Sequence, residues 1–228
     1  MNPRAILLAV SLAVTTACGI RDNAPGRPAA NSAVMPPNKI MDFKVLYASN
    51  CSGCHGVDGK SGLAIELGDP VYLAIADDAA IRRVAADGVA GTSMPAFAQH
   101  SGGMLVDDQI NVIVKGIRAW AKPDAPRDAP PYVAQNPGDP KRGEAAFGTY
   151  CASCHGADGR GGKGGSIADP TYLTLVSDQG LRTMLIAGRP DMGAPDWRGD
   201  APGKPMSPDD VSDVVAWLAA KRPQGGSR

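Results

Sequence analysis

Apolar positions along this chain recur at three-and-four spacing in short runs, the pattern of small amphipathic helices. Ile81, Val84 and Ala85 share a face within Asp77–Asp87, and Leu181, Met184 and Leu185 do the same within Ser177–Ala187. Two closing helices begin at Asp107 and Pro208. Ile110, Ile113, Val114 and Ile117 line one of them, and Val211, Val214, Val215 and Leu218 line the other. Met41–Cys51 and Lys141–Cys151 form a further pair. Nothing alternates at period two for long enough to make a sheet, so the expected fold class is all-α.

The helices come in pairs because the sequence is duplicated. Displacing the chain by one hundred positions lays Cys51, Cys54, His55, Gly56, Asp58 and Gly59 on Cys151, Cys154, His155, Gly156, Asp158 and Gly159. At the same offset Asp69-Pro70, Tyr72-Leu73, Asp78, Arg82 and Gly88 fall on Asp169-Pro170, Tyr172-Leu173, Asp178, Arg182 and Gly188. An ungapped match of that extent marks a tandem repeat. Between the copies, Pro123, Pro126, Pro130, Pro131, Pro137 and Pro140 call for a semi-rigid, extended linker instead of a helix. The expected domains are residues 39–121 and 139–222, with a linker at 122–138 and a tail at 223–228.

The N-terminal 18 residues differ in kind. Arg4, an apolar run from Ala5 to Val14 and a small-residue exit at Ala17-Cys18 read as a secretory signal. A spanning helix would need roughly 20 apolar residues. Ala17 before Cys18 resembles the lipobox of bacterial lipoproteins, although Thr15 stands where that pattern usually has Leu. Cys18 is therefore the expected lipidation site, with cleavage nearby and a soluble product as the plainer reading. The Pro-, Ala-, Asn- and Gly-rich residues 19–38 read as a flexible tether. Largely extended, such a spacer reaches ~60 Å. The protein is thus expected to be exported, to the periplasm or the outer face of a bacterial membrane.

Composition narrows the field. Lys+Arg and Asp+Glu balance at 23 each, so no net field favours nucleic acid or an anionic bilayer. Aromatics make up 5% of the chain, with 28 Gly and 20 Pro. Such a sequence is poor in core-forming side chains, and a bound macrocycle could supply the missing centre.

The cysteines point to that macrocycle. Cys51-Ser52-Gly53-Cys54-His55 and Cys151-Ala152-Ser153-Cys154-His155 are both C-x-x-C-H. Two thiols three residues apart on a turn can add to the two vinyl groups of one haem, and the next residue then aims its imidazole at the iron. Two covalent haem c groups are the expected cofactors, with His55 and His155 as iron ligands. A redox dithiol would need a strand–helix context. A zinc site would need Cys51, Cys54, Cys151 and Cys154 to meet.

The sixth iron ligand lies downstream. His55, His100 and His155 are the only histidines, so at most one haem could be bis-histidine within the chain. Met94 sits in a Gly- and Pro-shaped loop, Gly91-Thr92-Ser93-Met94-Pro95, with Met104 and His100 as alternatives. In the second copy, aligning the closing helices puts Met206 opposite Leu105, an apolar lead-in with Ser207 as a cap. Met192 then aligns with Met94 across a two-residue deletion. Met192 is the expected ligand and Met206 a packing residue.

Each half, in this order of helix, C-x-x-C-H, middle helix, Met loop and closing helix, resembles a class I c-type cytochrome domain. That resemblance implies that a Gly in the first helix lets an aromatic of the last pack closely. Gly143 and Trp217 match, whereas the first copy has Phe43 and Gly116, with bulk and gap exchanged. Phe43 is expected on Gly116, and Trp217 on Gly143. Gly193 stands where the family usually has Pro. His/Met-bound irons are saturated and suit one-electron transfer between redox proteins of an electron-transport chain, with no small-molecule substrate required. The competing expectation is a di-haem redox enzyme, a peroxidase or a thiosulfate-type dehydrogenase, which would need an open iron. Arg82-Arg83 reads as a solvated helix face or a docking patch.

Overall fold

The computed structural model describes residues 35–199 and 204–223. The leader, Cys18, most of the tether and most of the tail lie outside the described residues. Among those described there are ten α-helices and no strand, only two isolated bridges, Ala98 with Leu105 and Arg189 with Ala194. None of these helices is long and apolar enough to cross a membrane.

The first half contains α1 (Phe43–Asn50), α2 (Ser52–His55), α3 (Pro70–Ile75), α4 (Asp78–Asp87) and α5 (Asp107–Arg118). The second repeats them as α6 (Pro140–Tyr150), α7 (Ala152–His155), α8 (Pro170–Leu175), α9 (Asp178–Ala187) and α10 (Pro208–Ala219). Side-chain caps set most of the starts. Asp42, Asp69 and Asp77 cap α1, α3 and α4, and Asp139, Asp169 and Ser177 cap α6, α8 and α9. Ser207 closes a capping box with Asp210 on α10. The closing helices begin where periodicity predicts. The six-residue α3 and α8 are additional to the periodic helices.

Helix α5 crosses α1, and α10 crosses α6. A Cβ on Gly116 would collide with the Phe43 ring, as the exchange of bulk and gap requires. A Cβ on Gly143 would collide with the Asp213 carbonyl and crowd Trp217 Cβ. One turn beyond Gly116, Trp120 stacks edge-on against Tyr47 at 5.0 Å between centroids and against Phe43 at 5.4 Å. Trp217 covers Phe147 at 4.3 Å in the other half. Both domains thus carry an aromatic lid, built from positions that a fixed offset does not equate.

Buried Gln109 shows how each crossing is tied down. Its Oε1 accepts from Val106 N–H, while its Nε2 donates to the carbonyls of Pro37 and Ile40, pinning the chain that leads into α1. In the second half Asp213 accepts from the Asp139 amide and pairs with Arg142 at 2.7 Å. The proline-rich stretch from Lys122 forms turns and bends without a helix. Buried Arg182 donates to the carbonyls of Pro131 and Tyr132, and Gln179 also donates to Tyr132, strapping the stretch to α9.

Candidate functional site

The two C-x-x-C-H segments adopt the same local geometry. In the first, the amides of Cys54 and His55 donate to the Cys51 carbonyl at 3.2 and 3.0 Å. In the second, the amides of Cys154 and His155 donate to Cys151 at 3.1 and 3.0 Å. One tight helical turn therefore carries both thiols and the imidazole. Gly56 and Gly156 end these turns at φ of 79° and 75°, a left-handed conformation that L side chains rarely adopt.

The chain folds back from that turn to hold the imidazole. His55 Nδ1 lies 2.7 Å from the Ile65 carbonyl, and His155 Nδ1 lies 2.9 Å from the Gly165 carbonyl. A carbonyl can only accept, so Nδ1 is the donor, and in the neutral ring the lone pair is left on Nε2. The Ala64 amide donates to the Cys54 carbonyl and the Gly164 amide to Cys154, which keeps each partner loop close to its cysteine turn. This second-layer contact fixes both tautomer and ring direction, as in metal-ligating histidines generally. Sequence reasoning missed both carbonyls, since a backbone oxygen has no residue signature.

Surroundings differ. His55 is buried, and that burial lowers its pKa against the opposing hydrogen bond from Ile65. His155 is half-exposed beside a glycine-rich loop. Tyr47 donates its hydroxyl to the Gly56 carbonyl at 3.0 Å, and Phe147 at the matching position cannot. Before haem attachment, burial and then the neighbouring thiol raise Cys51 and Cys151 to about 11, so both start as protonated thiols near neutral pH.

Met94 is half-buried in a loop closed by Val89 N–H to Met94 O at 3.0 Å. Met192 ends a short 3-10 turn, Pro190–Met192, and is 73% exposed. Met206 is buried, and its amide donates to the Trp197 carbonyl just as Leu105 donates to Phe97. Met104 is exposed, and His100 spends Nε2 on Asp87 at 3.1 Å. Arg82 is engaged by Asp107 and Asn111.

The donor set fits haem c: two thiols on one turn and an imidazole with Nε2 free, repeated in each half. It does not fit a shared zinc site. Among the described residues no three His, Cys, Asp or Glu side chains gather as a metal cluster.

Comparison with known proteins agrees with this geometry. Residues 140–221 match the family described as cytochrome c, and residues 38–115 match that described as cytochrome c oxidase, cbb3-type, subunit III. A search of curated proteins gives no match. Among solved structures, a chain of the Kuenenia stuttgartiensis reducing HAO-like protein complex is similar at 17% identity and a TM-score of 0.48. The similarity covers 83% of this chain and all of that one. The chain belongs to the c-type cytochromes, as a tandem of two cytochrome c domains that bind haem c covalently and serve haem-based electron transfer.

Proposed function

We propose that the protein is a di-haem relay passing single electrons between membrane respiratory or photosynthetic redox partners. A lipid on Cys18 holds it to the outer face of a bacterial membrane. His55 with Met94, and His155 with Met192, would hold the two irons. So held, each haem would supply one-electron redox chemistry and leave no position open to a substrate.

The observation that carries this reading is the doubled histidine geometry, each Nδ1 committed to a carbonyl ten residues on. Two imidazoles that share this Nδ1 contact argue for two irons with one kind of task. Met94 is supported by its half-buried place in the loop and by the commitment of His100 to Asp87. Burial of Met206 in the Leu105 position supports Met192 over Met206 as the second thioether ligand. The oxidase-subunit description of the family matched by residues 38–115 supports an oxidase as partner or host complex.

The exposure of Met192 is the one observation on the side of a di-haem redox enzyme, since a loosely held thioether could leave an iron open. Spectra of the ferric holoprotein separate the two. The relay reading predicts two low-spin haems with the weak long-wavelength methionine–iron band. A high-spin signal that shifts with cyanide contradicts it. Tethering predicts a mature chain whose mass carries an N-terminal lipid, and release of Cys18→Ser protein from the membrane fraction.

A further inference from the structure

We propose that Arg189 is the positioning residue of the path between the two haem sites, clamping the loop that carries Met192 onto the loop that fixes His55. The inference rests on the relay reading above. Arg189 stands at the root of the Met192 loop. Its amide donates to the Ala194 carbonyl, and its own carbonyl accepts from the amides of Met192 and Ala194. Its side chain leaves the second domain. Nη2 donates to the Gly62 carbonyl at 2.7 Å and Nη1 to the Ala64 carbonyl at 3.4 Å.

Those two carbonyls belong to the segment that wraps the first C-x-x-C-H turn. The Ala64 amide is bonded to Cys54, and the next carbonyl, Ile65, holds His55. A single side chain therefore joins the Met192 loop of one domain to the His55 loop of the other. Asp191 grips the guanidinium through Nε and Nη2, each at 2.9 Å, so the fork is aimed before it reaches across. The side chain is 15% exposed, which shelters these bonds from competition by water.

The repeat argues that this is a built contact. The position one hundred residues earlier is Val89, whose amide makes the same kind of loop-closing bond, to Met94, but whose side chain cannot donate. Among the described residues, the second Met loop carries the arm and the first histidine loop receives it. The glycine-rich histidine loop of the second domain has no such partner among the bonds of Arg189.

Arg189→Gln and Arg189→Lys holoproteins test the assignment. Each is first checked for two covalent haems and wild-type helicity. A flash-generated reductant then places one electron on the chain, and its redistribution between the irons is followed. Losing charge-assisted bonds from the docked arrangement shifts its equilibrium by about tenfold or more, and redistribution in R189Q slows accordingly. R189K, which keeps the charge but not the fork, slows it less. A structural lesion alone would alter haem content or spectra, and if R189Q fails that check the lysine variant decides. Redistribution at the wild-type rate in the variants overturns the clamp and leaves the relay standing. Absence of redistribution in the wild type overturns the relay itself.

Discussion

In the first domain the α1–α5 crossing is filled by Phe43 lying over Gly116, while in the second Gly143 brings α6 against the backbone of α10 beside Trp217. The same exchange recurs at the rim. Arg118 of α5 reaches the carbonyls of Leu73 and Ala76 and the carboxylate of Asp78. Arg222, just past α10, reaches Leu173, Val176 and Asp178 in the same way. Arg118 and Arg222 do not align at the offset that superposes the closing helices, since Arg222 comes about one turn later. The two copies have kept filled volumes and satisfied carbonyls, and let the residues that supply them change. In the cysteine turn they have kept the two cysteines and the histidine, the residues that covalent haem attachment and iron ligation would need, and let the two residues between the cysteines change.

The largest effect comes from breaking one copy of that turn. Cys151→Ser with Cys154→Ser leaves one covalent haem per chain by alkaline pyridine assay, and the remaining spectrum belongs to the first domain. The mirror pair, Cys51→Ser with Cys54→Ser, leaves the second. Loss of both haems from either variant would show that the domains are not independent binding units.

A smaller effect separates the two crossings. Gly116→Ala and Gly143→Ala each lower stability by about 1–3 kcal/mol through overpacking, read from denaturant midpoints. Phe43→Leu restores much of the first loss, because the obstructing atoms are a side-chain ring. Trp217→Leu does not restore the second, because the obstructing atom is the Asp213 carbonyl. Equal rescue in both domains would contradict this distinction.

The smallest effect is pH-dependent and sits at the start of α6. Asp139 accepts from the amides of Lys141 and Arg142, which holds its carboxyl below the usual range. The folded value lies under the unfolded one, so its contribution is complete above the ordinary carboxylate range near about 4 and is lost as pH falls through the folded value. Asp139→Ala therefore lowers the melting temperature at neutral pH, and the gap to wild type closes on acidification. A gap that persists in acid would refute the charge-based account of this cap.

Much of this was legible in the sequence. The starts of α5 and α10 follow from apolar spacing that begins at Asp107 and Pro208, and the cysteine turns from their spacing alone. The exchange of Phe43 and Gly116 was visible because the resemblance to a class I c-type cytochrome domain implies a Gly/aromatic crossing, and the internal alignment set a small residue against a large one there. Helices α3 and α8 are too short to display a period, although Asp69-Pro70 and Asp169-Pro170 carry a cap followed by a first-turn proline. The lid formed by Trp120 and the clasps of Arg118 and Arg222 were hidden because their equivalents sit about one turn out of register. Arg82 and Arg182 misled in the opposite sense. They align, yet one pairs with Asp107 on the surface while the other is buried and grips the linker.

The proposed relay needs two haem irons, both saturated, that exchange one electron each. A spectroelectrochemical redox titration of the purified holoprotein tests it directly. Two one-electron steps accounting for all the haem absorbance, with both irons low-spin at every potential, are the predicted result. A single step, or a fraction of iron that turns high-spin on oxidation, would contradict it.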